Sequence, residues 1–158
     1  MPDWDSKELI KIKQFALLFT KAMNEKKSSQ LKQVFHKDAV LHREMQNFVG
    51  HADIIKWYEK VWDTQGFRQA EFARRDATAG ILPDGSAKCI LWFEIKVPSV
   101  KLKNAVKPNP KQIHVETLDL KLYGKRWKIA KCFGLGYEPK DHKKYFKVIL
   151  NYKRNRAS

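Results

Sequence analysis

Apolar residues recur at three- and four-residue spacing in the opening segment. Leu9, Ile12, Ala16, Phe19 and Met23 fall on one stripe, which predicts an amphipathic helix over 6–26. Asp5 or Ser6 can cap it, and Glu8 sits in its first turn, where the helix dipole favours an acid. The polar run from Asn24 to Lys27 ends it. Leu31, Val34 and Phe35 predict a second, shorter helix entered at Ser28. A short strand over 38–45 follows, and 46–49 hairpins back before Gly50. Ile54, Tyr58, Val61 and Trp62 then predict a third helix over 52–63.

Beyond residue 68 the apolar period changes from about 3.6 to two, the spacing of strands. Strands are predicted over 68–82, 86–97, 111–123 and 126–136. The first pair is joined through Pro83-Asp84-Gly85-Ser86 and the last through Tyr123-Gly124-Lys125-Arg126. Pro98, Pro108 and Pro110 cannot donate to a ladder, so 98–110 reads as a loop. Pro139 and Asp141 open a predicted tail helix reaching Tyr152, so a domain over 1–137 is followed by a basic tail over 138–158. Helices made early must cover a sheet made late, which gives an α+β fold: a curved sheet of about six strands around three helices.

Strict alternation assigns the sheet faces. His114, Glu116, Leu118, Leu120, Leu122, Trp127, Ile129, Lys131 and Phe133 fall on one, with Cys89, Leu91, Phe93 and Ile95 opposite Gly80, Thr78, Asp76 and Arg74. This is the expected concave lining. The other face carries Ala77, Ala79, Ile90, Trp92, Val115, Thr117, Ala130 and Cys132. It is apolar enough to predict either a homodimer interface through Ile90, Trp92, Val115, Thr117 and Cys132, which is favoured, or partial cover by the tail helix. Cys89 and Cys132 fall on opposite faces, which argues against a disulfide.

Composition narrows the class. In 158 residues, 43% are hydrophobic, which suits one domain with a packed core and not a disordered chain. No apolar run approaches the roughly 20 residues of a membrane helix. The acidic start, Asp3 and Asp5, does not read as a secretory signal, and two cysteines without a bridge predict an intracellular protein, cytoplasmic or nuclear. The net charge of +15 is unevenly placed. Residues 95–115 hold five lysines and no acid, and 138–158 hold seven basic residues against Glu138 and Asp141. Such excess attracts nucleic acid, an anionic membrane surface or acidic proteins. The candidate polyanion contacts are Lys101, Lys103 and Lys107 in the loop, and Lys143, Lys144, Lys147 and Arg154 in the tail.

Three features together resemble the nuclear transport factor 2-like superfamily, and within it the SnoaL-like and ketosteroid-isomerase-like proteins. These are the run from Val34 to His42 after two helices, the Gly50, Ile54, Trp57, Tyr58 entry to the third helix, and the closing hairpin from Leu120 to Ile129 with Trp127 after the turn. The resemblance covers about 8–136. It implies a cone-shaped pocket, and many such proteins dimerise through the sheet. It does not imply one chemistry, since the superfamily includes isomerases, cyclases, dehydratases and transport factors.

The chemistry that the residues themselves offer is limited. Asp76, His114 and Glu116 are the candidate catalytic groups, because a carboxylate in an apolar cup has its pKa raised and can act as a general base. The competing reading makes Glu116 and Lys131 a cross-strand ion pair. Phe15, Phe19, Trp127, Lys131 and Phe133 are the expected pocket lining. The enzymatic relatives often carry a tyrosine on the first helix; Phe15 and Phe19 stand there instead, so no catalytic residue is carried over. His36, His42 and His51 have no metal-site spacing, Gly134 and Gly136 open no phosphate-binding loop, and no metal or cofactor is expected. Two functions follow as expectations. One is a binding or adaptor domain for an acidic protein or polyanion. The other is an isomerase or dehydratase holding a small apolar ligand in the cone.

Overall fold

The computed structural model describes residues 6–43, 45–63, 67–96, 112–134 and 147–150. Helix α1 (Ser6–Glu25) is followed by α2 (Ser28–Val34), strands β1 (Phe35–Arg43) and β2 (Gln46–Val49), and α3 (Gly50–Trp62). A 3-10 turn at Phe67–Gln69 leads into β3 (Glu71–Ile81), β4 (Ala87–Lys96), β5 (Gln112–Tyr123), β6 (Arg126–Phe133) and β7 (Lys147–Leu150). The seven strands form one open sheet in the order β2-β1-β6-β5-β4-β3-β7. Only β1 and β6 run parallel; every other pair is antiparallel.

The helices pack on one face of this sheet. Ile12, Phe15, Ala16, Phe19 and Met23 of α1, Leu31 and Val34 of α2, and Ile54, Tyr58 and Trp62 of α3 are buried against Leu91, Phe93, Leu118, Leu120 and Ile129. The α1 stripe therefore lies where its spacing predicts. Phe19 and Phe72 each pack on Phe93, with ring centroids 6.4 and 5.7 Å apart. Gly50, between β2 and α3, adopts φ +88, a left-handed conformation that favours glycine.

The polar break after α1 is a joint. Lys26 is buried in a left-handed backbone conformation, φ 55. Its ammonium donates to the Ala70 carbonyl at 2.7 Å and the Asn24 carbonyl at 3.2 Å, and it lies over the Phe72 ring. Burial and the nearby Arg68 charge lower its pKa. Beside it, the Asn24 amide donates to the Phe72 carbonyl and accepts from the Phe72 amide at 2.7 Å. Two side chains thus tie the end of α1 to the start of β3.

Two bulges correct the alternation. On β3, Arg74 pairs with Phe93 but Asp76 pairs with Trp92, so Arg75 is an extra residue. Ala77 and Ala79 then face the helices and are fully buried, while Asp76 turns to the other side. On β6, Ile129 pairs with Leu120 but Lys131 pairs with Asp119, so Ala130 is extra. Cys132 therefore faces the core, and Lys131 and Phe133 lie on the outer face beside Lys88 and Asp119. The expected dimer surface changes accordingly. Cys132 leaves it, and Ile90 and Thr117 are fully buried within the single chain, leaving Trp92 and Val115 half-buried.

The third correction is at the C-terminal end, where 147–150 form a strand, β7, antiparallel to β3 at Ala77–Ala79, not a turn of helix. The run Val148-Ile149-Leu150 is apolar and partly β-branched, a composition that suits an edge position on a sheet. The rest of the expected tail helix lies outside the described residues.

Replacing Asn24 with alanine leaves both backbone groups of Phe72 without their side-chain partner. The expected loss is about 1–3 kcal/mol in a urea or thermal unfolding measurement; an unchanged midpoint would show that the joint carries no stability.

Candidate functional site

Residues at odd positions 39 and 41 of β1 face the core, and the next odd position is Arg43. Its guanidinium lies over the inner face, where Nη2 donates to both carboxylate oxygens of Glu116, the Oε2 contact measuring 2.6 Å. Nη1 donates to the His42 carbonyl at 2.9 Å, and the guanidinium carbon lies 5.5 Å from the Trp57 ring centre. Glu116 on β5 is 2% exposed. His114, two residues earlier, donates from Nε2 to Glu116 Oε2 at 2.9 Å, and its ring meets Phe72 edge-on. The Cys132 thiol completes the group, 3.6 Å from Glu116 Oε1 and 3.8 Å from Arg43 Nη2.

The electrostatics follow from this arrangement. Burial alone would push the Glu116 carboxyl up, but the hydrogen bond from His114 and the Arg43 charge outweigh it, and the net direction is down. Burial would equally lower the Arg43 pKa, yet its surroundings hold it up. The Cys132 thiol is itself pushed well up by burial and by Glu116, so it stays neutral and Glu116 is the anion that Arg43 answers. Tyr58 on α3 is buried beside the group, and burial raises its pKa well above the ordinary phenol range. Its hydroxyl lies close to Arg43 but makes no hydrogen bond among the described residues. Burial pushes the other thiol, Cys89, up to about 12. Neither cysteine is a thiolate nucleophile at neutral pH.

The sequence-derived candidates separate on this structure. His114 and Glu116 share the inner face and touch, whereas Asp76 is on the opposite face, its carboxylate accepting from the Ala77 amide at 2.8 Å. Glu116 is ion-paired with its pKa lowered, contrary to the raised pKa expected of a general base. Its partner is Arg43, not Lys131, which the Ala130 bulge carries to the far face. Of the expected lining, Phe15, Phe19 and Trp127 face the core, while Lys131 and Phe133 do not. Both cysteines face the core, correcting the opposite-face expectation. They flank Leu118 on strands β4 and β6, about 10 Å apart by strand spacing and beyond disulfide reach. Arg43 and Tyr58 were missed as site residues. The odd-position run on β1 is the signal that points to Arg43; Tyr58 reads only as a helix-face aromatic. Lys101, Lys103, Lys107, Lys143, Lys144 and Arg154 lie outside the described residues, and Lys147 begins β7.

A second feature lies at the far end of α1. Lys11, Gln14, Phe15 and Leu18, on one face of the helix, form a cleft of about 400 Å³ with Gln33 and the β5–β6 turn residues Lys125, Arg126, Trp127 and Lys128. The Trp127 indole donates to Glu8 at 3.0 Å, fixing the turn against α1. Among the described residues, no group of three or more His, Cys, Asp or Glu is placed to hold a metal, and no helix is long and apolar enough to cross a membrane.

No family model matches the sequence, and no curated protein matches it. Solved structures do match. Aln2 from a Streptomyces species superposes with a TM-score of 0.66 at 14% identity, over 85% of this chain and 94% of that one. Nuclear transport factor 2 from Cryptosporidium parvum superposes at 0.63 with 12% identity, over 85% of this chain and 98% of that one. The chain has the nuclear transport factor 2-like fold. A nuclear transport factor 2-like protein of unknown function from Shewanella oneidensis is also similar, with a TM-score of 0.58 and 16% identity over 78% of this chain and 95% of that one. The structural neighbours of this chain include a transport factor as well as proteins described as a polyketide cyclase and a ketosteroid isomerase. The fold therefore leaves the chemistry to the side chains.

Replacing Arg43 with methionine strands the Glu116 carboxylate in the core, with an expected cost of roughly 3–5 kcal/mol in chemical unfolding. Tyr58→Phe, which removes a hydroxyl with no bonded partner, is expected to cost less than about 1 kcal/mol. Comparable losses from the two would show that Tyr58 is bonded after all.

The depressed Glu116 pKa also fixes a sign. Its stabilisation is present above the ordinary glutamate value of 4.5 and disappears as pH falls through the lower folded value. In unfolding measured from pH 7 to pH 2, Glu116→Gln is expected to flatten the acid limb relative to the unsubstituted chain. An identical acid limb in both would place the pH dependence elsewhere.

Proposed function

We propose that this chain is a non-catalytic binding domain that engages an acidic protein or polyanion. The observation carrying the reading is the state of Glu116. Glu116, the carboxylate buried on the inner face among the described residues, is held by Arg43 and His114, so it serves as a structural anion and not as a base awaiting substrate. Both thiols are buried with their pKa values raised, which disfavours either cysteine as a nucleophile. Against this unreactive interior stands a formal net charge of +15. Positive surface charge raises encounter rates with acidic partners and suits a protein whose work is recognition.

One observation favours a second reading, an isomerase or dehydratase acting on a small apolar molecule. His114 is about one-third exposed, with its ring oriented by Glu116, a His–carboxylate pairing that general-base catalysis uses elsewhere. Crystals soaked with steroid- or polyketide-like ketones would test it; density beside His114 is the result this reading needs.

For the binding reading, affinity for heparin and for an acidic polypeptide is expected to fall steeply and linearly on a log–log plot between about 50 and 200 mM salt. A flat response, or no binding to either polymer at low salt, would remove polyanion recognition as the function.

A further inference from the structure

Among the clefts formed by the described residues, one combines an apolar base with unanswered positive charge. The cleft at the β2–α3 edge mixes Asp53 with Lys56 and Lys60, and the one beside Lys26 is built around the structural joint between α1 and β3. The cleft between α1 and the β5–β6 turn differs from both. Phe15, Leu18 and Trp127 form its base, Gln14 and Gln33 supply amides, and Lys11, Lys125, Arg126 and Lys128 stand around it without an acidic residue in the lining.

The charge balance is uneven among these cations. Lys11 is answered by Glu8, 3.2 Å away. The other oxygen of Glu8 accepts from Trp127. Lys128 donates to the Gln33 carbonyl at 3.2 Å, an interaction that leaves its charge uncompensated. Lys125 and Arg126 are exposed on the turn and pair with no carboxylate among the described residues. Gly124, with φ +67, shapes this turn, and the Trp127–Glu8 bond holds it against α1, so the cations are presented on a fixed support.

We propose that this cleft binds a short acidic peptide segment of a partner protein, with carboxylates at the Lys125, Arg126 and Lys128 rim and an apolar side chain against the half-buried Leu18. The inference rests on the binding-domain reading above and locates its site. A volume of about 400 Å³ is within the range of about 300–1,000 Å³ typical of ligand pockets. The chemistry favours carboxylates on a peptide over single-stranded nucleic acid. Bases need open aromatic faces for stacking, and both aromatic rings here are more than nine-tenths covered. Three of the four cations are lysines, compact point charges suited to single carboxylates more than to bidentate phosphate clamping.

The test uses fluorescence anisotropy on the full chain with three labelled probes: a peptide of alternating Glu and Leu, its Gln–Leu counterpart, and a single-stranded RNA. The unsubstituted chain is expected to bind the Glu–Leu peptide and not the Gln–Leu one. Lys125→Glu with Arg126→Glu is expected to weaken Glu–Leu binding by about tenfold or more, and Lys37→Glu with Lys56→Glu, an equal change in net charge elsewhere, by less than about threefold. Circular dichroism and a melting curve establish that both doubles are folded, and Lys125→Gln with Arg126→Gln gives a milder version of the same loss. Equal weakening by the two charge-reversed doubles overturns the cleft while leaving a polyanion-binding protein. RNA bound more tightly than the peptide, with the same dependence on Lys125 and Arg126, overturns the acidic-peptide assignment. Failure of the unsubstituted chain to bind any anionic probe removes the binding-domain reading and this inference together.

Discussion

A carboxylate taken out of water must find a cation or give up its charge, and this requirement ties β1 to β5 across the sheet's inner surface. Glu116 is 2% exposed, with Cys132 and His114 beside it. Arg43, supplied by a strand seventy-three residues earlier in the chain, neutralises it. Because β1 and β6 are parallel neighbours, and β6 lies beside β5, the pair bridges a strand that contributes only the small Cys132 at that level. A larger residue there would meet the ion pair in a close-packed interior. The register of three strands and the protonation of one thiol are thus linked through a single buried charge.

The consequence for function is that the inner surface is held by mutual constraint. His114 is oriented by Glu116, Glu116 is fixed by Arg43, and Arg43 in turn is backed by the Trp57 ring. A proton acceptor must be able to change its charge during reaction, and a carboxylate whose ionised form is stabilised from two sides resists doing so. Recognition through a basic exterior makes no such demand on the core. The same cluster that gives the fold part of its specificity therefore works against Glu116 as a proton-transfer group.

The elements were legible because their periods are strong. The α1 stripe, the glycine entry to α3 and the two tight hairpins rest on local chemistry that a linear reading captures. The faces were legible only between bulges. An extra residue at Arg75 and another at Ala130 each reverse the alternation downstream, and neither position carries a glycine or proline that would announce it. This is why Asp76, Lys131 and Phe133 change sides, and why Cys132 joins the core. Arg43 was hidden for another reason: an isolated arginine in a short strand looks like a solvent-facing residue until its carboxylate partner, remote in sequence, is placed opposite. Strand β7 was mistaken for helix because lysines spaced among aromatics mimic an amphipathic pattern, and pairing with β3 overrides that local preference.

The open sheet ends, among the described residues, in two strands of only four residues each, β2 and β7. An unsatisfied strand margin is the usual template on which a second molecule of the same protein lays down its own backbone. Each of these two strands offers only a few peptide groups. At the β2 side a left-handed Met45 and the immediate start of α3 at Gly50 limit any extension of the ladder. At β2 the geometry thus limits strand-on-strand growth, independently of the electrostatic repulsion that the surplus lysines supply.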